Sequence, residues 1–505
     1  MKRKVTVKNM IGYASINFLG SGAQKIVQLY LMVFYTTLCD ISVVQAGTIF
    51  TVTRFLDAIL NPVMGFVSDN FGRTKLGKRF GRRKFFILIG VPLSMIVFPL
   101  MWTVGHSFAF YFAVNMVWEM LFTVIIVSAI ALPAEMAQTA ADKTKLVAAK
   151  SYFGTVANIV AAAIPAELFR RFGENEPKSF ALVGIVYAAI IAVSLIVVYA
   201  FTFERDPKEV VYDDQAHGIG EILKKLVLDI SSTLRVKSFR IHTIMMLLIG
   251  IYKNLAGSIL TYYVICCMAI ANAKSATGYV SAISTFVSLG TLTVFVALAY
   301  KYGGPKTFRV SASIVILGCI GYIGVMFMKG TDWLIPVFVV AQLINEIGKG
   351  GCDYIPVFQL PFMADIDEAV TGTRREGIFS GVNGAMSKIS YGIESLIMTG
   401  GLAAFGYVSG KDVVQPQSAV IGVAILATAL PMVILLVTFI VSTRLKLTKE
   451  NHKLLVDEVN RVKAGGDKSQ VTPEARKAIE DLTGFAYENC FGNNNVGYHS
   501  KTANA

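Results

Sequence analysis

Charge is scarce in this chain. Of its 505 residues only 16% are Asp, Glu, Lys or Arg, against about 25% in an ordinary soluble domain. Too few polar groups remain to cover a water-soluble body of this length. Histidine (5), cysteine (6) and tryptophan (3) are also sparse. The histidines form no cluster and no H-E-x-x-H, which argues against a zinc-dependent enzyme within the membrane. The cysteines, at 39, 266, 267, 319, 352 and 490, lack both metal-ligand spacing and the density of a small secreted domain. They read as small apolar packing residues. Neither a Walker-type phosphate loop nor a dinucleotide fingerprint in a strand–helix context occurs, so nothing points to ATP hydrolysis within the chain. The N-terminus is basic and then apolar, but it lacks an A-x-A cleavage site. Its apolar stretch is too long for a signal peptide and carries Asn17, Gln24, Lys25 and Gln28. It reads as a first membrane helix.

What is abundant is apolar sequence. Hydrophobic residues make up 54% of the chain, and the mean hydropathy is +0.59. They fall into about twelve separate runs: 10–37, 44–67, 84–104, 107–133, 147–169, 179–203, 241–270, 275–300, 308–328, 333–363, 377–405 and 417–443. Each is long enough to cross a ~30 Å hydrocarbon core as a helix. The ~10-residue alternation of a membrane β-barrel is missing. The net charge of +14 gathers in alternate loops: Lys2, Arg3, Lys4 and Lys8, then 73–84, then Lys143 and Lys145, then 205–240. The intervening loops are poor in Lys and Arg, with 170–178 a mild exception. This is the positive-inside bias rather than a surface for nucleic acid, and it predicts both termini in the cytoplasm.

Six runs precede a polar stretch and six follow it. The expected architecture is an all-α membrane protein of twelve transmembrane helices in two six-helix bundles, the layout of the major facilitator fold. The boundaries are 1–205 for the N-terminal bundle, 206–235 for a cytoplasmic linker, 236–445 for the C-terminal bundle and 446–505 for a soluble cytoplasmic tail. Residues 219–234 predict a surface amphipathic helix. In the tail, Leu454, Leu455, Val459 and Val462 mark one helix and Thr472-Pro473 opens another, Thr as cap and Pro in the first turn. About sixty residues are too few for a catalytic domain, and docking on the cytoplasmic face is the expectation.

The signal for function is a set of ionisable residues inside the apolar runs: Lys25, Arg54, Asp57, Glu119, Glu167, Lys253, Glu346, Lys349, Asp353, Lys388 and Glu394. Each costs roughly 2.5–3.5 kcal/mol or more at mid-bilayer on an isolated helix, so as a set they point to a polar central cavity. Glu167 falls near the end of its run, and for both Glu167 and Glu394 a place near a membrane face is the alternative to a functional one. Arg54 and Asp57, like Glu346 and Lys349, have the i, i+3 spacing of a helical pair. The four lysines favour an anionic solute, unless they only balance the nearby carboxylates.

The run RFLDAILNPVMGFVSDNFGRTKLGKRFGRRKFFILIG (54–90) resembles the second span and following loop of the glycoside–pentoside–hexuronide:cation symporters, the melibiose permease group. MADIDEAVTGTRREGIFSG (363–381) is similar to that family's loop between spans 10 and 11, and YLMVFYTT (30–37) adds to the likeness. The resemblance implies that Asp57 helps to bind a coupling cation, that Thr123 belongs to the cation site, and that Lys388 lies near both sugar and cation. Other positions depart from the pattern. Asn61 stands where a second carboxylate is usual, Leu60 replaces an Asn, and Ser21 replaces a sugar-holding Asp. Ile126 replaces an acid and Ser151 an Arg, with Lys150 adjacent. One clear carboxylate suits a proton better than Na⁺, which needs several hard oxygens.

The resulting expectation is a secondary active transporter, not an enzyme, in a bacterial cytoplasmic (inner) membrane. It imports an acidic, uronate-containing saccharide by alternating access with H⁺, rather than Na⁺, in symport. A neutral glycoside or pentoside symporter, an uncoupled facilitator and a non-transporting sugar sensor are the alternatives. Cation coupling is expected at Asp57, Arg54, Asn61, Thr123 and Glu119, with Arg54 as the partner of Asp57. Lys25, Trp118, Lys253, Lys349, Tyr354 and Lys388 are expected to bind solute. Asp69, Gly72, Arg73, Arg82 and Arg83 are expected to form a gating loop. The partners are a small sugar or glycoside and the lipid bilayer, with no cofactor besides the coupling ion and no nucleic acid.

Overall fold

With no water in a bilayer core to take up backbone N–H and C=O groups, each apolar run must satisfy them internally. Each of the twelve runs lies on a helix, and no strand occurs among the described residues. The computed structural model describes residues 5–137, 139–205, 219–411 and 413–492. Residues 206–218 of the expected linker and 493–505 of the expected tail lie outside them, as do Lys2, Arg3 and Lys4.

The first helix, α1 (7–38), starts at a reciprocal Thr6–Asn9 cap and is widened by two π-helical stretches, Phe18–Ala23 and Val27–Leu31. A Ser42–Gln45 capping box opens α2 (Val43–Asn70). Then come the short α3 (Lys75–Phe80), α4 (Lys84–Leu100), α5 (Phe108–Ile130), α6 (Ala140–Phe172) and α7 (Pro177–Phe201). The amphipathic segment forms α8 (Ile219–Thr233). It leads into α9 (Lys237–Tyr263), α10 (Ala273–Tyr302), α11 (Gly304–Phe327), α12 (Leu334–Thr371), α13 (Glu376–Ala404) and α14 (Gln417–Thr443). Eight of these, α2, α5, α6, α7, α9, α10, α11 and α14, are long and apolar enough to cross a membrane. Of the rest, α4 is shorter, α1 is interrupted by its π turns, and α12 and α13 carry several of the buried charges. Outward-facing side chains are apolar, as at Ile196, Phe327 and Val433. The chain is a multi-pass membrane protein.

Helices before residue 205 meet those after 236 along three seams: α1 with α9, α2 with α13, and α6 with α10. Glycine permits the close approach. A Cβ at Gly278 of α10 would lie 2.5 Å from the Tyr30 hydroxyl and 2.6 Å from Ala162 O. At the end remote from the basic loops the seams are shut. There Thr36 and Tyr262 share a hydrogen bond of 2.9 Å, and Gly410 N–H donates to Thr36 O at 2.8 Å. The Glu174 carboxylate accepts the Lys274 and Ser275 backbone N–H groups at 2.9 and 2.7 Å, across the α6–α10 seam at the start of α10. Towards the basic end the seams separate around a cavity.

The tail forms α15 (Lys449–Lys463) and α16 (Pro473–Thr483), the latter capped by Thr472 as expected. Both pack on the basic ends of α9 and α12. Lys463 pairs with Glu368, and His452 Nε2 lies 2.9 Å from Asp365. Phe491 and Gly492 N–H groups donate to Ala369 and Val370 O at 2.8 and 3.0 Å. Ser238 Oγ donates to Leu482 O at 2.6 Å.

Candidate solute and ion site

The face of α2 that carries Arg54, Asp57 and Asn61 turns towards α5, where Glu119 and Thr123 sit one turn apart. Arg54 does not pair with Asp57, contrary to the helical-spacing expectation. Its guanidinium donates to Glu119 at 2.9 Å and to Gln24 Oε1 of α1 at 2.8 Å, and it lies 5.2 Å over the Tyr391 ring. The planar fork reaches two acceptors on other helices, whereas its own-helix neighbour is already engaged. Asp57 is fully buried and accepts from three donors. They are the Asn61 amide at 2.8 Å, the Thr123 hydroxyl, and the Lys388 ammonium of α13. One carboxylate thus joins helices from both parts of the chain.

Above this group lies an inner cavity of about 340 Å³, continuous with a wider one of about 970 Å³ through shared lining at Ser21, Gln24, Arg54, Asn158 and Tyr391. The wider space runs towards the basic end between Ile130, Val147, Ser380 and Gly384. Both sizes fall within the range of small-molecule sites. Of the lysines lining the inner cavity, Lys253 pairs with Asp353 at 2.9 Å and Lys349 with Glu346 at 2.7 Å. Lys25 is different: no carboxylate lies within 4 Å of its ammonium among the described residues. Lys388 lines the wider cavity.

Two expected solute contacts lie elsewhere. Trp118 is fully buried within the N-terminal helices, its ring 4.8 Å from Phe98, and it lines neither cavity. Its side of α5 faces α4, so helix rotation removes it from the solute. Tyr354 stacks on Phe358 at 5.7 Å and lines neither cavity, although its neighbour Asp353 lines the inner one. A step of one residue turns a helical side chain by about 100°. Glu394, assigned from sequence to a membrane face, is instead 5% exposed and lines the inner cavity.

At the basic end, Arg83 pairs with Asp69 and Arg82 with Glu135, while Arg83 Nε lies 3.6 Å from Glu135. Arg73 is exposed and Gly72 buried. The tight contact belongs to Gly77, where a Cβ would lie 2.1 Å from Phe71 O, and Gly81 adopts φ +93°. Sequence reading missed Glu204. Its carboxylate accepts the backbone N–H groups of Arg82, Arg83 and Lys84 at 2.8, 2.8 and 2.6 Å, capping α4 from the end of α7. Glu135 was missed as well. The signal available for both was a lone acid beside a span end facing a strongly basic loop.

A buried ion-pair cluster, a polar cavity on a seam and opposed helix groups are the parts of a membrane carrier. A family model described as MFS/sugar transport protein matches residues 12–449. The chain belongs to this family. As a family member it is a membrane transporter rather than an enzyme, of the glycoside–pentoside–hexuronide symporter type that its motifs resemble. It is similar to the glucuronide carrier protein homolog of Escherichia coli (strain K12), 22% identical over 92% of this chain and 97% of that protein. The isoprimeverose transporter of Lactiplantibacillus pentosus is 22% identical over 81% and 82% of the two chains. The uncharacterized symporter YnaJ of Bacillus subtilis (strain 168) is 23% identical over 90% and 95%. Among solved structures, the nucleoside transporter NupG superposes with a TM-score of 0.58 at 12% identity, over 87% of this chain and all of that one. A bacterial homologue of the human drug peptide transporters PepT1 and PepT2 gives 0.62 at 12% identity, over 90% and 99%. These likenesses establish the fold.

Proposed function

We propose that this family member imports a carboxylate-bearing sugar or glycoside, driven by H⁺, through twelve spans arranged as two six-helix bundles with both termini in the cytoplasm of a bacterial inner membrane. The observation that carries the reading is Lys25, a cation in the inner cavity with no carboxylate within 4 Å of its ammonium among the described residues; the nearby Glu346 is bonded to Lys349 instead. The cavity's other lysines neutralise Asp353 and Glu346, which leaves Lys25 to receive the acid group of the solute by a charge-assisted bond. A relative described as a glucuronide carrier homolog is in keeping with this.

Asp57 supports the choice of ion. Its oxygens meet three donors, one of them the Lys388 ammonium, whose positive charge on the carboxylate opposes Na⁺ there. A proton on Asp57 removes the charge that holds Lys388 and so loosens the α2–α13 seam. Lys25, Lys253, Lys349 and Lys388 act as solute contacts in this reading. Arg54, Glu119, Asn61 and Thr123 position Asp57 and the cavity wall, and the Asp69–Arg83 and Arg82–Glu135 pairs, formed while the basic end is open, brace the loop between α2 and α4.

Uptake into proteoliposomes carrying the full chain tests this. An inward pH gradient is expected to drive accumulation of labelled methyl β-D-glucuronide, in preference to methyl β-D-glucoside. Lys25→Ala should reduce that preference about tenfold or more. Equal uptake of both sugars by the unaltered protein would favour the neutral-glycoside reading. Binding without accumulation or exchange would favour a sensor.

A further inference from the structure

The ion pairs of the inner cavity leave one acid over. Glu394 of α13 is 5% exposed and lines the cavity. No Lys or Arg nitrogen lies within 4 Å of its carboxylate among the described residues. The guanidinium of Arg54, which lines the same cavity, is engaged by Glu119 and Gln24. A second group shares this condition. Asn254 of α9 is 2% exposed, lines the same cavity and presents an Oδ1 that receives no hydrogen bond. The Ser258 hydroxyl, one turn along α9, is a hydrogen-bond partner of Glu394, so the carboxylate has one neutral donor beside it and no cation at bonding distance.

The cavity therefore has two chemically different parts. Lys25 of α1 brings a cation with no carboxylate at bonding distance, whereas α9 and α13 bring acceptors in excess of donors: Glu394 has the Ser258 hydroxyl alone and Asn254 Oδ1 has none. A carboxylate has about four lone-pair sites, and one held by a single hydroxyl in a membrane interior is under-satisfied, so further donors in the transport cycle stabilise it. Sugar hydroxyls are such donors, and two adjacent ones match the two oxygens of a carboxylate. We infer that Glu394 is a solute-binding residue that accepts hydrogen bonds from sugar hydroxyls, with Asn254 Oδ1 as a second acceptor. This rests on the sugar-carrier reading above and deepens it. The solute then carries a polyol part read by α9 and α13 and an acid part read by Lys25. Glu394 sets affinity for sugars generally and Lys25 sets the preference for acidic ones.

Equilibrium binding to the purified full chain separates the two roles, with methyl β-D-glucuronide and methyl β-D-glucoside as probes. Glu394→Gln is expected to raise the Kd about tenfold or more for both probes. Deoxy analogues lacking the contacted hydroxyl should bind the unaltered protein as weakly, with little additional loss in the variant. Lys25→Ala should weaken the glucuronide alone. Glu394→Asp, which keeps the charge but shortens the reach, should show the same effect in smaller measure and serves if the Gln variant does not fold. Kd values within twofold of the unaltered protein in both Glu394 variants would overturn the inference, while leaving the Lys25 reading intact. Loss of both probes in Glu394→Gln, with no discrimination at Lys25→Ala, would sustain the inference and sink the acidic-solute reading. Na⁺-stimulated binding that Glu394→Gln abolishes would assign the carboxylate to a cation and also overturn it.

Discussion

At the scale of single residues, Asp57 carries the heaviest electrostatic burden. It is fully buried, and its ammonium partner comes from a helix more than three hundred positions along the chain. Asp57→Asn keeps the shape and most hydrogen bonding but removes the titratable charge. The expected result is loss of pH-driven accumulation by more than about tenfold, with exchange of solute across equal pH retained; unchanged accumulation would refute the coupling role. Asp57 and Lys388 stood out in the sequence because an ionisable group inside an apolar run has to be explained, whereas Asn61 and Thr123 were reached through the family resemblance. Their pairing was not legible. Arg54 is three residues from Asp57 yet bonds to Glu119, sixty-five positions away, and spacing alone permits both. Trp118 and Tyr354 failed for a related reason: in an apolar helix every aromatic looks the same until the rotation about the helix axis is known. Glu394 was set aside as near a membrane face although it lies well inside the run 377–405, which α13 follows to Ala404; the helix rotation that turns it into the cavity is not written in the sequence.

At the scale of elements, the existence and order of the helices followed from the apolar runs, and the amphipathic α8 and both tail helices fell where their periodicity put them. The π turns of α1 did not, since no local pattern in 18–31 distinguishes a wider turn from an ordinary one. Nor did the far-end closure. Glu174 sits in the loop expected to be only mildly charged, yet its carboxylate caps α10 across the seam. The Lys274 ammonium returns the contact, donating to Glu174 O at 2.9 Å and Asn175 Oδ1 at 2.7 Å. An anion on a partly buried helix N-terminus contributes up to about 2 kcal/mol. Glu174→Gln is therefore expected to shift the open-to-closed ratio at this end by roughly five- to thirtyfold. Labelling of a cysteine placed at the buried Thr261, with a membrane-impermeant maleimide applied from that side, should rise accordingly. An unchanged labelling rate would show that the apolar seam alone keeps this end shut.

At the scale of the whole molecule, the tail belongs to one side only. Within it Glu458 is 5% exposed and receives Arg461 at 2.7–2.8 Å together with the Tyr487 hydroxyl. Those bonds, Arg461 first, hold its carboxyl below the usual range. Its contribution to the fold of the tail is complete above the ordinary carboxylate pKa of about 4.3 and is lost as pH falls below it through the lower folded value. Protease resistance of residues 449–483 should accordingly persist at neutral pH and fail below about pH 4. Glu458→Gln should destabilise the folded tail by about 1–3 kcal/mol at neutral pH and flatten that dependence. The same one-sided attachment has a practical side. All the tail contacts described, to Asp365, Glu368, Ala369, Val370 and Ser238, are made on α9 and α12. The tail is thus a built-in landmark: a pair of helices packed at the basic ends of α9 and α12. It gives electron-microscopic particle alignment a feature to hold, and a probe fixed to it would report the orientation of the α9–α12 side alone.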